Sequence, residues 1–204
     1  DYLEKPFSGE DARQKIHSIT KHYRAHSSPH PVTGLPGHPQ MEMELAARLG
    51  KNESFSTVWL DVNHFRPYND HYGTEKGNEV IRMVCKMVQS SISTVGTGGT
   101  KPFIAHIDGD DFILIVPDHE AERVRQDLRA RFQKMAPQFY SSDELKKGFF
   151  TGKGRDEKEG IFQLMNLSTA VVKVQKETFA HYGELVCEAS ELLRQAKVGA
   201  QDVR

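Results

Sequence analysis

Phe103-Ile104-Ala105-His106-Ile107-Asp108-Gly109-Asp110-Asp111-Phe112-Ile113-Leu114-Ile115-Val116 sets two short apolar runs, Phe103–Ile107 and Phe112–Val116, around an acidic centre that contains one glycine. Two runs of strand-forming residues separated by Asp and Gly predict a tight β-hairpin. Its tip, Asp108 to Asp111, would expose a cluster of carboxylates.

Outward from this hairpin the apolar positions change period. Upstream, Phe55 to Val62 carries Val58, Trp59, Leu60 and Val62 and predicts a buried strand. A loop follows, then a helix from about Glu75 to Gln89 with Val80, Ile81, Val84 and Val88 on one face. Downstream, Ala121, Val124, Leu128 and Phe132 recur at helical spacing, and a strand from about Phe162 to Val174 precedes a last helix from Phe179 to Lys197. Residues 141–160 have no usable period and are expected to form a loop or small hairpin insertion. Near the N-terminus, Ala12, Ile16, Ile19 and Tyr23 predict a leader helix between Ser8 and His26. The Ser-, Pro- and Gly-rich stretch Ser27–Pro39 interrupts it, and a short helix over Met41–Leu49 ends at Gly50. The order is mixed α/β with a hairpin at its centre.

A length of 204 residues suits one sizeable core with an appendage, and 37% apolar with 27% charged residues marks a soluble globular chain. A net charge of −1 argues against binding a nucleic-acid backbone, which usually takes a basic excess. No apolar run reaches the length of a membrane span, so no direct membrane contact is expected. The opening Asp1-Tyr2-Leu3-Glu4-Lys5-Pro6 lacks the basic and apolar regions of a signal peptide, and the chain reads as a fragment cut from something longer. Cys85 and Cys187 lie in predicted amphipathic helices, as reduced, packed thiols of a cytoplasmic protein would, with a disulfide the minor alternative. His22 and His26 are spaced i, i+4, which suits either zinc or a solvated helix face. His119 and His181 fall near helix starts with no nucleophile paired to them.

Three segments in order carry a resemblance: Val32-Thr33-Gly34-Leu35-Pro36; Asp61-Val62-Asn63-His64-Phe65-Arg66 with Asn69-Asp70 and Gly73; and Asp108 to Phe112. With Ala196-Lys197 they resemble the successive landmarks of GGDEF domains, the diguanylate cyclases of bacterial cyclic-di-GMP signalling. The resemblance implies an α+β, palm-like nucleotidyl-cyclase fold with a central, mostly antiparallel five-stranded sheet flanked by helices. Residues 1–29 would be a leader from an upstream domain and residues 30–204 the GGDEF domain. It further implies metal ligation by Asp61, the Val62 carbonyl, Asp110 and Asp111, with Mg²⁺ as cofactor and the two hairpin acids as catalytic groups. Asn69, Asn78, Arg66, Gly109 and Lys197 would bind GTP or another guanine nucleotide. Without the resemblance, Asp61 reads as a strand-end cap and the Asp pair as a solvated hairpin tip.

Several positions depart from the family pattern. Asp108 replaces a glycine, and a carboxylate about 5 Å from a phosphate costs roughly 3 kcal/mol at an effective dielectric near 20. An additional metal ion held by Asp108 would reverse that sign. Asp111 replaces a glutamate, and Asn78 an aspartate. An amide cannot accept both guanine N–H bonds as a carboxylate does, although Asn78 is also an ordinary helix residue. His106 and Gln201 stand where arginines are usual, Thr74 where a histidine is, and Ala200 where a glycine is. Gly98-Gly99-Thr100-Lys101-Pro102 lacks the Arg-x-x-Asp of the family's product-inhibition site. The expectation is a catalytically silent regulatory domain, fused to a sensory or EAL phosphodiesterase domain and able to form a homodimer. The alternative is an active but divergent cyclase that condenses two GTP with Mg²⁺.

Overall fold

The computed structural model describes residues 29–51, 53–96, 99–153 and 159–201. The leader helix and the His22/His26 pair lie outside them. Helix α1 (His38–Gly50) starts where the Gln40 side chain accepts the Gly37 N–H at 2.9 Å, with Pro39 preset for the first turn. Then come β1 (Phe55–Val62), α2 (Phe65–Tyr72), α3 (Thr74–Ser93), β2 (Phe103–Asp108) and β3 (Asp111–Val116). A 3₁₀ turn (Asp118–Glu120) leads into α4 (Ala121–Met135), a second 3₁₀ turn (Ala136–Phe139) and α5 (Ser142–Lys147). The last elements are β4 (Phe149–Lys153), β5 (Glu159–Gln163), β6 (Leu167–Val174) and α6 (Tyr182–Gln201).

Strands β2-β3-β1-β6 form one antiparallel sheet, and β4-β5 a separate two-stranded ribbon. The antiparallel sheet flanked by helices is the architecture expected. Its strand count is a correction: four among the described residues, where five were expected. The apolar run from Phe162 also divides. Leu164, Met165 and Asn166 leave the ladder because the Met165 N–H donates to the Tyr140 hydroxyl and the Asn166 carbonyl accepts the Asn63 N–H. Residues 142–153 fold as α5 and β4, with Ser141 and Glu144 closing a capping box at the start of α5.

Alternation along the strands builds two cores, one on each face of the sheet. Val58, Leu60, Phe112 and Leu114 pack on α3 and α4, through Val80, Val84, Val124 and Leu128. Trp59, Ile113, Ala170 and Val172 pack on α1 and α6, through Met41, Leu45, Leu185 and Ala189. Because helices cover both faces, β1 and β3 are buried at nearly every position, the polar Ser56 and Thr57 of β1 included. Truncating a fully buried residue here, such as Leu114, costs about 2–5 kcal/mol. Cys85 is buried as expected. Cys187, expected to pack, is exposed, because it sits on the outer side of α6, away from Leu185 and Ala189.

Candidate functional site

The sheet register assembles the acidic cluster. Leu60 pairs with Phe112 across β1 and β3, so one further step sets Asp61 beside Asp111, and two set Val62 beside Asp110. The Val62 N–H donates to Asp110 Oδ2 at 2.9 Å. On the other side of β1, Asp61 pairs with Ser168 of β6. Lys197, near the end of α6, reaches across to donate to Asp61 Oδ2 at 2.5 Å. Five of the expected site residues, Asp61, Val62, Asp110, Asp111 and Lys197, therefore meet through β1, the hairpin and α6.

The turn itself is two residues, Gly109 and Asp110, between the paired Asp108 and Asp111. Gly109 has φ +53, matching a hairpin turn that takes glycine at its first central position. A Cβ there would meet open space, so its requirement is conformational and not steric. Asp108 is exposed and its carboxylate accepts the Gly109 N–H at 3.0 Å. Solvent contact weakens the repulsion expected of it toward a phosphate.

Negative charge is crowded at the tip. Burial, then the neighbouring Asp61 and Asp111, push the Asp110 carboxyl up to about 7, against the pull of the Val62 N–H and Lys197. Burial and Asp61 likewise push Asp111 up to about 6. Carboxylate oxygens are the ligand type that Mg²⁺ prefers, so the donor set fits a hard divalent cation in kind. Among the described residues, however, no three His, Cys, Asp or Glu side chains stand at metal-ligand spacing. Lys197 supplies positive charge to Asp61 in that arrangement.

Asn69 and Asn78, expected to read guanine, sit apart, where α2 meets α3 around Gly73. A Cβ on Gly77 would come 1.6 Å from Asn69 Oδ1, so glycine is what admits the Asn69 side chain against α3. Asn69 Oδ1 is buried without a hydrogen-bond partner among the described residues, an orphan that a donor from a ligand would satisfy. Asn78 is half-buried one residue beyond Gly77. Arg66 is exposed at the start of α2, 3.9 Å from Asp70, instead of reaching the acids. Ala200 and Gln201 extend α6, and their side chains lie outside the described residues.

Two histidines were not assigned this role from the sequence. His64 caps α2 in the left-handed region, φ +64, immediately after the Val62-Asn63 strand end. His106 is fully buried and links two family landmarks. Its Nε2 lies 3.0 Å from the Gly109 carbonyl, and its Nδ1 lies 3.1 Å from the Thr33 hydroxyl. A carbonyl only accepts, so Nε2 carries the proton, and Nδ1 accepts from Thr33. The ring stacks on Phe112 at 4.1 Å and lies 3.6 Å from His30. Substitution of the usual arginine was the sequence signal, but the bonded turn was not deducible from it.

A family model, diguanylate cyclase, GGDEF domain, matches residues 30–152. The diguanylate cyclase DgcP of Pseudomonas aeruginosa is 25% identical over 171 residues, 79% of this chain and 25% of that protein. This chain thus spans about a quarter of that relative's length. Among solved structures, the coiled coil and GGDEF domain of DgcB from Caulobacter crescentus, in complex with c-di-GMP, superimposes with a TM-score of 0.60 at 19% identity, covering 93% of this chain and 90% of that one. The S helix-GGDEF-EAL structure of LapD from Vibrio cholerae, bound to c-di-GMP, gives a TM-score of 0.62 at 15% identity, covering 92% of this chain and 38% of that one. With its antiparallel sheet, its acidic hairpin and a family match across most of its length, this chain belongs to the GGDEF family of cyclic-di-GMP signalling domains.

Proposed function

We propose that this GGDEF domain is a regulatory module that binds a guanine nucleotide and does not turn it over. The supporting observation is that Lys197 already donates to Asp61 Oδ2 and the Val62 N–H to Asp110 Oδ2, so one oxygen of each carboxylate is taken by the protein itself. Asp61, Asp110, Asp111 and the Val62 carbonyl would hold Mg²⁺, which when bound neutralises the triphosphate and lowers the pKa of the attacking hydroxyl. Lys197 would compete with that ion for Asp61 Oδ2. The orphaned Asn69 Oδ1 would accept from guanine, while Asn78 supplies one acceptor where two are needed. Asp108, tied to its own turn, adds negative charge beside the phosphates. A fused sensory or EAL domain, as in the LapD arrangement, would receive the signal, with a homodimer as the working unit.

That Asp61 lies near enough to Asp110 and Asp111 to push both carboxyls up favours a second reading, an active but divergent cyclase. Purified protein incubated with GTP and Mg²⁺ or Mn²⁺ separates the two by chromatography of the products. Calorimetric binding of GTP without cyclic dinucleotide is the expected result, and sustained product formation overturns the silent reading. No binding of GTP, GDP or c-di-GMP would leave a purely structural domain.

A further inference from the structure

A cavity of about 790 Å³ opens beside the first residues of β6, on the edge of the sheet away from β1. Helix α4 walls it with Arg125, Arg129 and Gln133, each one turn beyond the last and so on one helical face. The segment leading into β6 supplies Asn166, and β6 itself supplies Thr169. The remaining lining is largely apolar.

We infer that this cavity is a binding site for a small organic phosphate with a flat apolar body. Arg129, one turn beyond Arg125 on the same helix face, offers a planar donor fork to a multi-oxygen anion, the geometry phosphate uses best. Arg125 holds Glu122 at 2.5 Å, whereas Arg129 acts on Glu122 only through its field. Of the two arginines that line the cavity, Arg129 is therefore the one whose charge is left for a ligand. Thr169 supplies the second, independent observation. Its hydroxyl is buried and has no hydrogen-bond partner among the described residues, and such orphans ordinarily mark a missing water or ligand. Only three side-chain atoms share that condition there, and one of the others, Asn69 Oδ1, lies where the nucleotide is proposed to bind. Phe132, Leu164 and Met165 provide apolar contact for the body of the ligand.

The cavity is separate from the acidic cluster yet joined to it. Ala196 lines it, and the next residue, Lys197, holds Asp61. Ser168, also in the lining, bonds Asn63, the residue after Val62.

The test is titration of phenyl phosphate, with inorganic phosphate in parallel, into the whole chain followed by ¹⁵N–¹H NMR. Saturable shifts at the amides of residues 164–169 and at the Arg129 side-chain N–H are expected, with phenyl phosphate binding more tightly than phosphate. Loss of one charge-assisted contact in Arg129→Glu should weaken binding by about tenfold or more. Thr169→Val should weaken it severalfold while leaving the melting temperature unchanged or higher, since the hydroxyl it removes is unpaired. Shifts confined to Asp61 and Asp110 to Phe112, no saturation, or equal binding to Arg129→Glu would each overturn the assignment. None of these outcomes depends on whether GTP is bound or converted.

Discussion

His106 gives the sharpest test of how the signature turn is held. Burial, and then the nearby His30, depress its imidazole to about 4, although the Gly109 carbonyl and Asp108 pull the other way. Against the ordinary value of 6.5, that difference is worth about 3 kcal/mol in favour of the neutral ring. Between those two values the unfolded chain binds the extra proton, so the contribution is complete above 6.5 and drains as pH falls toward 4. At about pH 5 roughly 2 kcal/mol should be gone. The raised carboxyls of Asp110 and Asp111 act in the opposite sense, because the folded chain takes up their protons first. A bare pH profile of the wild type therefore mixes the two. The decisive quantity is the difference between wild type and His106→Gln, in which the carboxyl contributions cancel and an amide still reaches toward the Gly109 carbonyl. Urea unfolding at about pH 7.5 should find the variant less stable by about 1 kcal/mol, the worth of a buried hydrogen bond. At about pH 5 the wild type should have lost roughly 2 kcal/mol relative to the variant, reversing the order. Parallel stability curves across that interval would refute a buried, neutral His106 as the clamp between Thr33 and Gly109.

Other perturbations read separate parts of the molecule. Gly77→Ala should change the melting temperature little, since the helical preference for alanine, about 1 kcal/mol, offsets the displaced side chain; GTP affinity in calorimetry should fall, because the new methyl occupies the Asn69 position. Lys197→Met frees Asp61 Oδ2 and removes the nearest cation from the acids, so Mn²⁺ should bind more tightly than to wild type by paramagnetic relaxation, whereas weaker binding would mean that Lys197 is not a competitor for that oxygen. Tyr140→Phe strands the buried Met165 N–H and should cost about 1–3 kcal/mol in urea unfolding. Ser91→Ala should cost a similar amount, since the fully buried Ser91 hydroxyl ties α3 to Asp127 of α4 at 2.6 Å, and a near-neutral result would show water replacing it.

Most of the architecture was legible because it rests on long apolar runs. The hairpin, β1, α3 and α4 each present a buried face at the right period, and these are the elements sequence periodicity identifies best. Helix α2 was missed for the converse reason. Only Phe65 and Tyr68 of its eight residues are buried, and Pro67 sits in its first turn, where a proline is tolerated but gives no periodic signal. The single strand read into Phe162–Val174 failed because its break is made by tertiary bonds to Tyr140 and Asn63, not by a turn residue. At the site, Asp61, Asp110 and Asp111 were brought together by the family resemblance alone; read residue by residue they were a strand-end cap and a solvated hairpin tip, because the β1–β3 pairing that sets them side by side joins strands distant in sequence. The Lys197–Asp61 bond spans 136 positions and depends on how α6 docks, so nothing in the local sequence signalled that this ammonium reaches a carboxylate. Thr33 and His106 are 73 positions apart and are joined only when β2 packs beside the loop that precedes α1.

The positions that define the fold and the positions that define the chemistry answer to different constraints, and this chain separates them. Its core tolerates wide divergence because volume and patterning suffice to fold it, which is how superposition survives at identities below one fifth. Asp108, Asn78 and Arg66 lie outside that core, so the sheet does not depend on which residues stand there. His106 belongs to both groups: it fills a buried position and also orients the Gly109 carbonyl of the turn. An arginine in that place would keep its charge and require a counterion, whereas the neutral imidazole closes the turn onto Thr33 without one. The signature turn of this domain is thereby held by the protein's own hydrogen bonds, so a ligand meeting it would be spared the cost of ordering it.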